Sequence, residues 1–132
     1  MKNLIFYIFT FCIILSTGCN RDEIIPSKPG EALYPVEDLQ YAIDDSNVIL
    51  TWQLPSSFSD EIIQPVSVLV RISIDGQNAG THVLQSAPES YSYSPYDPLK
   101  EYRFTVKVMG DVDTVDPHVS DLRYSLGKTV AF

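Results

Sequence analysis

The residues best suited to chemistry lie near the C-terminal end, where Gly110-Asp111-Val112-Asp113-Thr114-Val115-Asp116-Pro117-His118 sets three carboxylates within six residues. Carboxylates are hard oxygen donors, so calcium is the first chemistry to weigh. A helix-loop-helix calcium loop needs ligands at alternating positions, a central glycine and a terminal glutamate, and this segment lacks the last two. An exposed acidic recognition loop is the reading carried forward, with Asp111, Asp113 and Asp116 as its candidate residues and no metal expected. His82 and His118 are the only histidines, and neither belongs to a His-Glu-x-x-His pair or stands beside a Gly-x-Ser-x-Gly elbow. Asp60 and Glu61 are adjacent, so in an extended segment they do not face one another across a substrate. Serines are plentiful, but without a placed base they are not nucleophiles. The pattern predicts neither an enzyme nor a cofactor.

Tyr91, Tyr93 and Tyr96 could form an aromatic platform for sugar rings. Their spacing argues otherwise. Tyr91 and Tyr93 share one side of an extended segment whose other side carries Ser90, Ser92 and Ser94. Serines suit the solvent side, which turns the tyrosines toward the interior.

The elements that must position these residues are short and alternating. Leu39-x-Tyr41-x-Ile43, Val48-x-Leu50-x-Trp52, Val66-x-Val68-x-Val70-x-Ile72-x-Ile74, Tyr91-x-Tyr93 and Tyr102-x-Phe104-x-Val106-x-Val108 read as half-buried strands. Breakers separate them: Asp44 to Asn47, Pro55-Ser56-Ser57, Asp75-Gly76, Pro88, Pro95 to Pro98, and Gly110 to Pro117. Between Ser73 and Glu89 the pattern is weak, and the place of Thr81-His82-Val83-Leu84 stays open. No stretch shows a helical apolar stripe. Such spacing predicts an all-β, antiparallel sandwich over residues 36–132.

Val48-Ile49-Leu50-Thr51-Trp52-Gln53-Leu54-Pro55 resembles the second strand of fibronectin type III domains, and Tyr96-Asp97-Pro98-Leu99-Lys100-Glu101-Tyr102 resembles their Leu-x-Pro-x-x-x-Tyr corner, with Tyr96 in the leucine place. The resemblance implies that Trp52 fills the core and that the Tyr102 hydroxyl bonds backbone upstream. It also implies that Arg103 to Val108 is the sixth strand and Tyr124 to Val130 the seventh. An immunoglobulin-like sandwich without its disulfide is the alternative fold.

At the other end, Met1-Lys2-Asn3 precedes an uncharged apolar run, Leu4 to Leu15, and then Ser16-Thr17-Gly18-Cys19. A basic start, an apolar stretch and a small-residue exit have the layout of a secretory signal. The run is shorter than the ~20 residues a spanning helix requires. Leu15-Ser16-Thr17-Gly18-Cys19 resembles a bacterial lipobox, in a loose form resembling lipoproteins of the Bacteroidetes. That resemblance implies cleavage after residue 18 and acylation of Cys19. Asn20-Arg21-Asp22-Glu23 is similar to an acidic export signal, which implies an outer-membrane, surface-exposed location. Residues 19–35, with Pro26, Pro29 and Pro35, read as a lipidated tether reaching up to roughly 50 Å if extended. Cys12 lies in the segment to be removed, so no disulfide is expected.

The formal net charge is −8, and loss of Lys2 makes the remainder more negative still. An acidic surface repels phosphate backbones, which argues against nucleic acid as partner. Together these readings predict a non-catalytic envelope lipoprotein that binds membrane through Cys19 and a protein or glycan through its sandwich. The alternative is a spacer or assembly subunit that interacts through a sheet edge.

Overall fold

The computed structural model describes residues 32–115 and 120–132. Eight strands follow in order: β1 Glu37–Asp44, β2 Asn47–Gln53, β3 Ser67–Ile74, β4 Gln77–Leu84, β5 Ser90–Tyr93, β6 Tyr102–Asp111, β7 Leu122–Tyr124 and β8 Lys128–Ala131. They form two antiparallel sheets, one ordered β1-β2-β5 and one of five strands ordered β4-β3-β6-β7, with β8 also paired to β6. An immunoglobulin constant-type sandwich puts its fourth strand in the sheet of its first two. Here β4 pairs with β3 instead, which sets the constant-type arrangement aside.

Local chemistry explains the joints. Ile74 and Gln77 face each other across Asp75-Gly76, whose φ values of 51° and 77° are both left-handed. That is the two-residue hairpin turn favoured by Asp-Gly, because its twist matches that of the flanking strands. Asp45 makes the β1–β2 turn with φ 52°, a conformation a short polar side chain tolerates. β4 carries little apolar alternation because it is an edge strand that leaves most of its residues exposed.

The core lies between the sheets. Val48, Leu50 and Trp52 from β2 meet Val68, Val70 and Ile72 from β3 and Phe104, Val106 and Val108 from β6, all buried. The sandwich also takes up Leu33, ahead of the boundary that sequence reading draws at Val36. Leu33 is 7% exposed and bridges Ser125, so the last residues assigned to the tether are part of the packed domain.

Two further features depart from the sequence reading. The expected seventh strand is divided into β7 and β8 by Ser125 to Gly127, giving eight strands in place of seven. At the break the Ser125 hydroxyl accepts the Val108 N–H at 2.8 Å, a bond that a regular ladder would give to a main-chain carbonyl. Gly110, expected to open a loop, continues β6. Its pairing with Arg123 extends the ladder, and a Cβ there would come within 2.8 Å of Ile62 Cγ2. Gly110 is therefore a packing glycine, small so that Ile62 and Leu33 can close over the strand.

Candidate functional site

The acidic segment is built on the end of β6. Inward residues alternate without interruption through Tyr102, Phe104, Val106, Val108 and Gly110, and Val112 continues the series, so Asp111 and Asp113 are left on the exposed side. Neither aspartate sits on a free loop: Asp111 ends β6 and both are held by main-chain bonds, where the sequence reading expects an exposed loop from Gly110 on. The Ile63 N–H donates to the Asp111 carbonyl at 2.9 Å, the Asp113 N–H to the Glu61 carbonyl at 3.0 Å, and the Val112 N–H to the Asp121 carbonyl at 2.8 Å. Asp116 and His118 lie outside the described residues, as does Cys19.

These bonds do what the sequence did not suggest. They pin the β2–β3 loop and the approach to β7 on either side of the strand end, gathering Asp60, Glu61 and Asp121 near Asp111 and Asp113. All five carboxylates are exposed. Among the described residues no group of three acidic, histidine or cysteine side chains converges closely enough to hold a metal ion. What the rim supplies is a negative potential over a rigid backbone. Beside it, Arg123 is buried on β7, donating from Nη1 to the Ser120 carbonyl at 2.8 Å. Only the alternation of Val108, Gly110 and Val112 could have disclosed this arrangement in the sequence.

The two residues assigned to structure sit in the interior. Trp52 is 3% exposed and donates its indole N–H to the Pro88 carbonyl at 2.9 Å. Tyr102 is 2% exposed, and its hydroxyl accepts the Asp97 N–H at 3.0 Å. Tyr96 packs on Tyr102 with ring centroids 5.3 Å apart. Phe132, to which sequence reading gave no role, stacks on Tyr41 at 4.1 Å and exchanges two backbone hydrogen bonds with Tyr102. Phe132 thereby closes the side of the sandwich between β1 and β8.

Tyr91 and Tyr93 pair with Leu50 and Val48 and pack against the core, while Ser90 and Ser92 are exposed. Burial raises the Tyr91 hydroxyl above its ordinary pKa, and the Tyr93 hydroxyl adds to the rise. His82 is exposed on β4, its ring 5.6 Å from that of Tyr91.

A family model described as a domain of unknown function, DUF4945, matches residues 19–132. No curated protein matches the sequence. Among solved structures the chain is similar to an FN3 domain of human collagen XX, with 16% identity and a TM-score of 0.49 over 77% of this chain and 97% of that one.

Proposed function

The chain belongs to DUF4945, a family described as a domain of unknown function, and we propose that it is a non-catalytic binding module of the bacterial cell envelope, anchored by lipid on Cys19 and displayed at the outer surface. The observation that carries this reading is a coincidence of boundaries. The family match begins at residue 19, the cysteine that follows the apolar run and its small-residue exit. A family whose shared region starts at that residue is what removal of residues 1–18 during export would leave. Acylation adds dozens of buried methylenes at about 0.8 kcal/mol each, which makes a stable anchor.

Recognition, on this reading, uses the acidic rim. Asp111 and Asp113, with Asp116 beyond the described residues, extend from a strand end fixed by main-chain bonds on both sides. A rigid backbone carrying exposed charge suits a basic partner, since little ordering entropy is lost on contact.

Fractionation of cells producing the wild type and Cys19→Ala tests the anchor. The wild type is expected in the membrane fraction with labelled fatty acid incorporated, and Cys19→Ala in the soluble fraction without label. Equal partitioning of both, with no label in the wild type, would sink the proposal.

A further inference from the structure

Three adjacent outward rows cross the five-stranded sheet on one side of the row in which Met109 faces Ser67 and Tyr124. Lys107 of β6 faces Leu69 of β3, which faces Val83 of β4. In the next row Thr105 faces Arg71, which faces Thr81, and Thr129 of β8 lies beyond Thr105. In the third row Arg103 faces Ser73, which faces Asn78. Each of these three rows holds one cation and no carboxylate, in a chain whose net charge is −8. At a rise of about 3.4 Å per residue, Arg103 and Lys107 stand about 14 Å apart along β6, with Arg71 midway and one strand over.

The cations line a trough. A depression of about 520 Å³ runs between Tyr124, Lys107 and Arg71. A second, of about 230 Å³, shares Arg71 and Thr105 with it and extends to Arg103. A third, of about 490 Å³, shares Ser73, Gly76 and Arg103 with the second and has Glu101 at its far side. Among the described residues Arg71, Arg103 and Lys107 have no carboxylate partner, so their charge is uncommitted. Lys107 is also held in place, because Gly127 lies over its stem and over Thr105. A Cβ on Gly127 would come within 3.3 Å of Lys107 Cε and 2.6 Å of Thr105 Cγ2.

We propose that this face binds a linear anionic polysaccharide, one that carries carboxylate or sulfate groups along its length. The charge pattern selects a slender ligand. A broad acidic partner would also meet the domain's own carboxylates within the ~10 Å over which charges act at 0.1 M salt, whereas a chain lying in the trough meets the three cations. The neutral lining suits sugar. Thr81, Thr105, Ser73 and Asn78 offer hydrogen bonds to ring hydroxyls, and Tyr124, 44% exposed, offers one ring edge or face. A single-stranded nucleic acid would call for successive exposed aromatic platforms; among the described residues Tyr124 is the one aromatic side chain lining the first two depressions, and of the two that line the third, Tyr102 and Phe132, Tyr102 is buried. This site is separate from the acidic rim and does not depend on the lipid anchor, so its failure leaves that reading standing.

The test is titration of the purified full-length chain, kept in detergent, with labelled polygalacturonate, dextran sulfate and uncharged dextran. The expected result is binding to at least one polyanion and not to dextran, weakening as salt rises. Combined Arg71→Gln, Arg103→Gln and Lys107→Gln substitution should weaken binding about tenfold, the sum expected of three exposed charge contacts, with the melting temperature unchanged. Gly127→Ala, whose Cβ must displace Thr105 and crowds the Lys107 stem without removing any charge, should weaken it about threefold. A folded wild type that binds neither polyanion overturns the proposal, as does a triple variant that binds like the wild type. Tighter binding of poly-glutamate or of an oligodeoxythymidine than of either polysaccharide also overturns it, and assigns the face to an acidic polypeptide or a nucleic acid.

Discussion

The two ends of β6 share an interior and differ in everything that faces water. Inward, the strand presents Tyr102, Phe104, Val106, Val108 and Gly110, and all five are buried. Outward it presents Arg103, Thr105 and Lys107, then Met109, then Asp111, with Asp113 following. The sign of the charge reverses across Met109. The cationic half lies between β3 and β8 and is therefore the floor of a broad face. The acidic half lies between β7 and the pinned β2–β3 loop and forms a rim. A face can seat a polymer along several rows, whereas a rim offers a few charges at one edge. Core packing sets the backbone under both and leaves the outward residues free to take opposite roles.

Trp52→Ala removes what the two regions share, and its effect should be the largest. Loss of a buried tryptophan costs about 3–5 kcal/mol, a large part of the 5–15 kcal/mol roughly typical of a small domain. Denaturant melts should show that loss, and polyanion and polylysine binding should fall together as the chain unfolds. Polyanion binding that persists in an unfolded Trp52→Ala chain would mean that the cations act as a loose charge cluster and not as rows on a sheet.

Gly110→Val should separate the regions. The added side chain must displace Ile62, whose neighbour Ile63 donates to the Asp111 carbonyl. Overpacking of this kind costs about 1–3 kcal/mol. Hydrogen exchange should quicken at the Ile63 and Asp113 amides and stay slow at the Val70 and Val106 amides, with polyanion binding retained. Equal loosening at all four positions would show that rim and face open as one unit.

Much of this was legible in the sequence because period two survives wherever one side of a strand is buried. The strands around Trp52, Val70 and Phe104, the Asp75-Gly76 turn and the Tyr102 corner all follow from local pattern. β4 was not legible, since an edge strand exposed on most of its length has no apolar alternation to read. Gly110 misled because glycine signals a break when viewed alone, whereas here it makes room for Ile62 and Leu33. The division of β7 from β8 rests on a serine hydroxyl taking the place of a backbone acceptor, which no propensity encodes. The cationic rows were half visible. The alternation of Val70, Ile72, Phe104, Val106 and Val108 leaves Arg71, Arg103 and Lys107 on the other side of their strands, but only the pairing of β3 with β6 brings them together, and that register joins segments distant in the chain. The rim shows the same limit, because Asp60, Glu61 and Asp121 join Asp111 through long-range main-chain bonds.

The smallest expected effect belongs to the rim. Replacing Asp111, Asp113 and Asp116 by Asn leaves the main-chain bonds of Asp111 and Asp113 in place, so stability should stay within about 0.5 kcal/mol of the wild type. Capture on immobilised polylysine, a stand-in for a basic partner, should weaken about threefold at low salt, as expected of a few exposed charges. The difference should vanish near 1 M salt, where screening acts over about 3 Å. Polyanion binding should be unchanged or slightly tighter, since the three substitutions lower repulsion at one end of β6. The complementary variant is Tyr91→Ala, which empties a half-buried position packed on the core and should lose stability before it loses binding. If the aspartate variant captures polylysine like the wild type while a folded Tyr91→Ala chain does not, the tyrosine strand is the contact and the rim is only a solvated edge.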